Sequence, residues 1–325
     1  MLLPEEPAIL DLRHAVRRWI AAHRPDGDVA VALSGGADSL ALAAAAAAEA
    51  RTVRALVVDH QLQSGSADVA EAAAERARAL GCANAEVLPV DVNGSGGLEA
   101  AARQARYTAL DRARGNRPVL LGHTLDDQAE TVLLGLSRGS GGRSIWGMSE
   151  YESPWGRPFL EVRRAVTHQA CEELRLSPHE DPHNASPDFV RVRLRTEVLP
   201  LLEEVLGGGV AGALARTGEQ LREEGAVLDA VAADAGSEAV VDREIDAVVL
   251  ALSAPPVRRR VLRGWLLAAG ARGLGNRQLR AVDDLVARWR GQGPVAIGGG
   301  TPDARLVVWR RRGRLNVGLD DQRRV

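Results

Sequence analysis

The sequence predicts an α/β fold, with a parallel sheet covered by helices on both faces and then a smaller, mainly helical domain with a short C-terminal β unit. Apolar strand-like runs alternate with helical patterns in the first half of the chain. Glycines and polar residues directly follow several of these runs, as at the ligand-binding edge of such a sheet. After Pro200 the pattern changes to amphipathic helices rich in Ala, Arg and Glu.

The elements of the first domain alternate regularly along the chain. Strands are predicted at Val29–Leu33, Val53–Val58, Ala85–Val90 and Val119–Leu121, and helices near Asp38–Ala50, Ala67–Leu80, Glu99–Arg114 and Asp126–Leu136. This order predicts a Rossmann-like sheet, whose ligands bind at the carboxyl ends of the strands. Three segments should therefore meet in one crevice, namely the turn at 34–36, Asp59 with His60, and Gly122 with His123.

The second half of the chain follows a run of three glycines at 207–209. We therefore predict a boundary near residue 206, with a catalytic domain at 1–206 and a helical domain at 207–325. Helical patterns lie near 210–233, 255–269 and 276–290. The segments PVAIGGG, ARLVVWRRRG and RLNVGL after them predict a small β-hairpin unit.

Composition narrows the function classes. The 325 residues carry a formal net charge of −2, and every fixed positive charge is an arginine because the chain contains no lysine. Contact with nucleic acid would therefore depend on local arginine clusters, such as those at 258–263 and 310–314. Cys82 and Cys171 form no CxxC pair, and no apolar run reaches 18 residues. We expect a cytoplasmic protein that does not contact a membrane.

The most informative segment is VALSGGADS at 31–39, an apolar strand that runs into a glycine turn and a helix. Backbone N–H groups in such a turn and at the start of the helix point towards an anion. A Walker-type P-loop is excluded because it requires a lysine. The alternative is a purely structural Gly-rich turn. The residues predicted to bind the phosphates are Ser34, Gly35, Gly36, Ala37, Asp38 and Ser39.

A second segment, GHTLDDQAETVLLGLSRGSG at 122–141, places three acids beside an apolar helical stripe. Thr124 is the predicted N-cap, and first-turn acids can simply complement the helix dipole. Dipole complementation does not explain an acid in the second turn or a histidine before the cap. The candidates for catalysis or substrate binding are His123, Asp126, Asp127 and Glu130.

Two helices supply candidate arginines. Arg103, Arg106 and Tyr107 share one face of the helix from Glu99, although Arg103 could also be the i, i+4 partner of Glu99. A helix is predicted over 186–199, with Ser186 as N-cap and Pro187 at the first position. Arg191 and Arg195 lie four residues apart on it and should repel each other unless an anion such as phosphate lies between them.

The ordered set of motifs resembles the tRNA(Ile)-lysidine synthases of the PP-loop ATP pyrophosphatase superfamily. Two departures from the family pattern are Gln63, where the family usually has arginine, and Val192, where it has asparagine. The motifs are SGGADS at 34–39, DHQLQ at 59–63, EAAARQARY at 99–107, GHTLDDQAET at 122–131, RGSGGRSIWGM at 138–148, RPFLEVRR at 157–164 and DPHNASPDFVRVRLR at 181–195.

The resemblance implies a two-step ligation on the wobble cytidine of tRNA(Ile) with a CAU anticodon. ATP would adenylate the oxygen at carbon-2, and free L-lysine would then displace AMP. It implies that Asp38 holds Mg²⁺, that Asp59 and His60 contribute to the ATP site, and that Asp127 and Glu130 bind the lysine ammonium and accept its proton. Asp126, Arg103, Arg106, Tyr107, Asn184, Arg191 and Arg195 would contact lysine or tRNA.

Two other functions remain open at this point. A PP-loop enzyme of the 2-thiolation type would activate the same carbonyl, but such enzymes commonly use paired cysteines, which this chain lacks. A non-catalytic ATP-binding module would share the sheet and the turn but would not need His123, Asp127 and Glu130. The sequence also leaves the oligomeric state open, with a homodimer as one alternative.

Overall fold

The computed structural model describes residues 3–24, 26–61, 65–92, 97–139, 141–179, 186, 188–301 and 304–320. It divides into two compact units. One comprises Met1–Leu134 and Gly147–Arg216, and the other Gly135–Trp146 and Thr217–Val325. The boundary near residue 206 stays a prediction.

The first unit contains a six-stranded sheet in the order β3-β2-β1-β4-β6-β5. All neighbouring strands are parallel except β5 and β6. The four strands predicted from the sequence are therefore confirmed, and two short strands follow them. The strands are β1 (Asp28–Leu33), β2 (Thr52–Asp59), β3 (Asn84–Pro89), β4 (Val119–Leu120), β5 (Tyr151–Glu152) and β6 (Trp155–Gly156).

The helices of this unit include the four that the sequence predicts. Their observed bounds differ from the predicted ones by no more than two residues. The helices are α1 (Pro7–His23), α2 (Ala37–Glu49), α3 (Ser66–Ala79), α4 (Leu98–Ala113), α5 (Leu125–Arg138, which ends in the second unit), α6 (Arg164–Glu173), α7 (Val190–Arg193) and α8 (Leu199–Val205).

Small side chains allow α2 to lie inside the core. Residues 40–46 of this helix are all buried, and five of these seven residues are alanine. Trp19 of α1 is also fully buried, and its Nε1 donates to the carbonyl of Glu150 across 3.2 Å. A Cβ on Gly156 would lie 2.3 Å from the Trp19 ring. The core around α2 is therefore close-packed and gives the predicted phosphate-binding turn a rigid support.

The helix predicted over 186–199 differs from the observed structure. It begins at Val190, and Phe189, with extended backbone dihedrals, occupies the N-cap position. The Ser186 hydroxyl instead bonds Asp188, so the predicted N-cap is wrong. The helix then continues as a π-helical segment over Leu194–Val198, a form that often occurs at functional sites. Pro187 and Asn184 lie outside the described residues.

The second unit combines helices with a five-stranded antiparallel sheet in the order β7-β8-β11-β10-β9. This sheet is larger than the predicted β-hairpin unit. The elements from here to the end of the chain are α9 (Val210–Ala239, which begins in the first unit), β7 (Val240–Val241), β8 (Glu244–Asp246), α10 (Ala247–Ala251), α11 (Pro255–Ala268), α12 (Asn276–Ala287), β9 (Val295–Thr301), β10 (Ala304–Arg311) and β11 (Arg314–Asp320).

No single helix in the described part of the chain is long and apolar enough to cross a membrane. One bent pair, Val190–Val205 with Val210–Ala239, passes that test by length and composition only.

Candidate active site

The predicted phosphate-binding turn lies between β1 and α2. Gly35 has φ +84°, a conformation that disfavours other residues. The Ser39 hydroxyl closes the turn, because it accepts from the Ser34 amide across 3.1 Å and donates to the Gly36 carbonyl across 2.9 Å. The first N–H groups of α2, from Ala37 onwards, have no intrahelical acceptor. The turn therefore presents backbone donors and the positive end of a helix dipole to an anion.

The end of β4 lies directly against this turn. A Cβ on Gly122 would lie 3.0 Å from the backbone carbonyl of Asp38 and 3.2 Å from the amide of Ser39. Only a residue without a side chain fits there without displacing the start of α2. The sequence predicted that the turn at 34–36 and the segment Gly122–His123 would meet in one crevice. The structure brings these two segments together.

One arginine that sequence reasoning did not assign lies among three of the predicted acids. Arg164 contacts Asp127 Oδ1 at 2.7 Å through Nη2, Glu130 Oε1 at 3.3 Å through Nη1 and Asp38 Oδ2 at 3.4 Å through Nε. We call these four residues, together with Arg195, the carboxylate–arginine cluster. The signal in the sequence was the Arg163–Arg164 pair that immediately precedes and begins α6.

The surroundings do not stabilise the negative charge of each carboxylate in the cluster to the same extent. Burial alone would raise the pKa of Asp127, but the charge of Arg164 and the hydrogen bonds from Thr124 lower it overall. Burial raises the pKa of Asp38, and the Thr167 hydroxyl and Arg164 offset only part of this effect. Of these two carboxylates, Asp38 is the one whose negative charge the protein stabilises less, as suits a group that binds a cation.

Glu130 is fully buried and both of its oxygens are occupied. Arg195 contacts Oε1 at 2.9 Å and Oε2 at 3.4 Å, and Arg164 contacts Oε1 as described above. The argument that Arg195 and Arg191 need an external anion between them is therefore wrong for Arg195, because Glu130 supplies the negative charge. Arg191 instead donates to the Thr131 hydroxyl across 3.1 Å.

Asp126 connects α5 to α6. Its Oδ2 accepts from the backbone N–H of Arg164 across 2.7 Å, and its Oδ1 pairs with Arg163 at 3.0 Å. The carboxylate therefore accepts a hydrogen bond from the first N–H of α6, which has no intrahelical acceptor. This bond fixes the start of α6 at Arg164. This geometry gives Asp126 a structural contact, and its contact with substrate stays a prediction.

A second group of side chains is basic. Arg103 and Arg106 lie over the ring of Tyr107, at 4.8 and 5.5 Å from its centroid, so the predicted shared face is confirmed. The ring of Tyr107 packs edge-on against Trp155 with 4.6 Å between centroids. Burial lowers the pKa of His60, and the charge of Arg106 lowers it further. His60 is thus near Arg106, whereas the Asp59 carboxylate accepts from the Gln61 amide in the turn after β2.

The described residues contain no group of three or more His, Cys, Asp or Glu side chains arranged to hold a metal ion. A groove of about 980 Å³ lies between β3 and α4, but none of the predicted site residues lines it. We therefore assign the chemistry to the strand ends around α2, where the polar groups converge.

Comparison with known proteins shows the family to which the chain belongs. Residues 11–202 match a family described as a PP-loop domain, and residues 246–315 match the TilS substrate binding domain. The chain is 86% identical to the tRNA(Ile)-lysidine synthase of Rhodococcus jostii, over 100% of both chains. The chain belongs to the tRNA(Ile)-lysidine synthases. The corresponding synthase of Nocardia farcinica is 66% identical over 308 residues, which cover 94% of this chain and 97% of that one.

Membership of the tRNA(Ile)-lysidine synthases makes the chain a ligase-type enzyme with an ATP-utilising PP-loop domain. It excludes the non-catalytic module considered above. A solved U34-tRNA thiolase, NcsA from Methanococcus maripaludis, is 19% identical with a TM-score of 0.55, covering 67% of this chain and 81% of that one. At this identity the likeness shows a common fold and does not favour thiolation.

Proposed function

We propose that this protein joins free L-lysine to carbon-2 of the wobble cytidine of tRNA(Ile) with a CAU anticodon, in the cytoplasm, and releases AMP and pyrophosphate. The observation that carries the proposal is the phosphate-binding turn directly beside the carboxylate–arginine cluster, in a chain that is 86% identical to a named synthase. The turn suits the polyphosphate of ATP, and the acids suit an incoming amine.

The first step is adenylation of the cytidine. The backbone N–H groups of Gly35, Gly36 and Ala37 and the hydroxyl of Ser34 hold the pyrophosphate half of ATP, while the Ser39 hydroxyl, whose proton goes to the Gly36 carbonyl, keeps the turn closed. Asp38 fits Mg²⁺ because its carboxylate is poorly compensated and stands in the first turn of α2. Mg²⁺ commonly takes one or two carboxylates plus substrate phosphates and neutralises developing negative charge. One protein carboxylate, that of Asp38, together with phosphate oxygens of ATP would therefore be a usual set of ligands for Mg²⁺.

The second step is transfer of lysine. With Asp38 assigned to Mg²⁺, the carboxylates of the carboxylate–arginine cluster that remain for the incoming amine are Asp127 and Glu130. Lysine must also lose a proton before it attacks, and Asp127 and Glu130 are the acids we assign to that step. His123 stays neutral at pH 7, because burial lowers its pKa to about 4.

We assign tRNA recognition to the second unit together with Arg191. Within the predicted 258–263 cluster, Arg258 and Arg259 pair with Asp283 and Arg260 pairs with Asp229. Those arginines therefore stabilise their own unit. Arg311 and Arg312, in and after β10, are exposed and better placed for phosphate.

The experiment is a product analysis of ATP. With a tRNA(Ile) transcript bearing CAU, we expect AMP and pyrophosphate in equal amounts, and neither product without tRNA. Release of ADP and phosphate would contradict the proposal. Product formation independent of tRNA would also count against it.

A further inference from the structure

The first turn of α2 is held by three side chains of α6. Arg164, Thr167 and Cys171 are spaced by three and four residues, so they share one face of that helix. Arg164 and Thr167 both contact the carboxylate of Asp38. The buried Cys171 thiol donates to the Ala37 carbonyl across 3.4 Å. Both the backbone and the side chain at the start of α2 therefore depend on α6.

The two oxygens of Asp38 have different partners. The Thr167 hydroxyl contacts Oδ1, whereas Arg164 Nε lies 3.4 Å from Oδ2. This ion pair is the longest of the three that Arg164 makes within the carboxylate–arginine cluster, since its contacts with Asp127 and Glu130 are 2.7 and 3.3 Å long. The carboxylate of Asp38 is thus held beside the guanidinium without pairing closely with it.

The Thr167 hydroxyl has two acceptors within reach. Besides Asp38 Oδ1, its oxygen lies 2.7 Å from the Arg164 carbonyl. A hydroxyl donates a single hydrogen bond, and bonds to an ionised acceptor are stronger than bonds to a neutral one. The proton therefore goes to the carboxylate when Asp38 is ionised. Because Thr167 is fully buried, no water replaces this bond if the hydroxyl is removed.

We propose that Thr167 is a positioning residue for the Mg²⁺·ATP site. Its hydroxyl holds the Asp38 carboxylate away from Arg164, so that the negative charge stays available to the cation bound with ATP. Without the hydroxyl, the carboxylate would move towards the guanidinium and form a closer pair with it. The inference rests on the function proposed above and deepens it.

The test measures the affinity of the purified protein for labelled ATP by equilibrium dialysis, with Mg²⁺ and with EDTA. Thr167→Val keeps the shape of the side chain and removes the hydroxyl. It should lower the affinity about 10-fold with Mg²⁺, as for loss of a hydrogen bond to a charged group, and leave the affinity in EDTA unchanged. Thr167→Ser, which keeps the hydroxyl, should bind ATP like the wild type.

Thr108→Val is the matched control. The Thr108 hydroxyl also donates to a helical carbonyl, that of Gln104, across 2.9 Å, and it contacts no carboxylate among the described residues. This variant should leave both affinities unchanged. Thr167→Ala removes the same hydroxyl as Thr167→Val, so it should show the same effect of Mg²⁺ and serves as the test if the valine variant does not fold.

Two results would overturn the proposal. One is a lower melting temperature of Thr167→Val with a normal effect of Mg²⁺ on ATP affinity, which would give the hydroxyl a role in the fold alone. The other is an equal loss of affinity with Mg²⁺ and with EDTA.

Asp38→Asn separates this inference from the function on which it rests. If Asp38→Asn loses the effect of Mg²⁺ on ATP affinity while Thr167→Val keeps it, only the role of Thr167 is contradicted. If Asp38→Asn also keeps the full effect, the assignment of Mg²⁺ to Asp38 in the proposed function fails, and the role of Thr167 fails with it.

Discussion

Arg164 Nη2 lies 2.7 Å from Asp127 Oδ1, and this contact joins α6 to α5 at the candidate active site. The other oxygen of Asp127 accepts from the amide and the hydroxyl of Thr124, both at 2.8 Å. Both oxygens of the carboxylate are thus engaged. The N-cap predicted at Thr124 is present, because the Thr124 hydroxyl accepts from the Asp127 amide. Asp127 also binds Arg164, the arginine that contacts Asp38.

Glu130→Gln should lower both the stability of the protein and the rate of lysine transfer, the second chemical step. Removing one partner of a buried ion pair costs about 3–5 kcal/mol, because the remaining charge is left unpaired. We therefore expect the free energy of unfolding, measured in urea, to fall by about 3 kcal/mol. Adenylated tRNA should accumulate when lysine is supplied. Equal loss of adenylation and lysine transfer would show that Glu130 only shapes the fold.

Arg195→Ala should destabilise the protein more than Arg191→Ala. Arg195 pairs with the buried Glu130, whereas Arg191 bonds only the Thr131 hydroxyl within the described residues. We expect Arg191→Ala to change stability by less than about 1 kcal/mol and to reduce the salt-dependence slope of tRNA binding by about one. Thermal unfolding and tRNA titration at several salt concentrations check both points. If Arg191→Ala destabilised the protein more than Arg195→Ala, the ion pair between Arg195 and Glu130 would be contradicted.

The sequence predicted the parallel sheet well because its signals are local. Apolar runs, the glycine turn and the Thr124 cap each depend on residues within a few positions. The role of Arg164 could not be predicted, because its partners lie 34 to 126 positions away. The start of the helix at Val190 was missed because Ser186 bonds Asp188 instead of a helical amide.

Gly122→Ala should disturb the phosphate-binding turn. The added methyl would meet the Asp38 carbonyl at 3.0 Å, so β4 or the start of α2 must move. Overpacking of this kind costs about 1–3 kcal/mol. We expect a higher KM for ATP and a lower melting temperature. Gly264→Ala is the control, since a Cβ there would contact nothing within 4 Å. A normal KM for ATP in Gly122→Ala would contradict the close approach of Gly122 to the start of α2.

Stability should fall as the pH drops below 6.5. Burial, with the charges of Arg157 and Arg106, lowers the pKa of His123 from 6.5 to about 4, although Asp127 opposes the shift. Between these values the unfolded chain binds a proton that the folded chain does not, so acid favours unfolding. Between pH 7 and pH 5 the effect is on the order of 2 kcal/mol.

Replacement of His123 by Asn should remove most of this pH dependence in urea unfolding. The remaining slope should come mainly from His60, whose pKa is also lowered by burial. An identical slope in the wild type and the His123→Asn variant would show that His123 is not held neutral in the folded protein.

The central claim is that the site joins lysine to one particular tRNA, and transfer of labelled lysine tests it most directly. Purified protein is incubated with ATP, Mg²⁺, labelled L-lysine and a transcript of either tRNA(Ile) with CAU or tRNA(Met) with the same anticodon. We expect one lysine per tRNA(Ile), with one AMP released, almost none on tRNA(Met), and none with Asp38→Ala. Absence of label from tRNA(Ile), or equal labelling of tRNA(Ile) and tRNA(Met), would contradict the account.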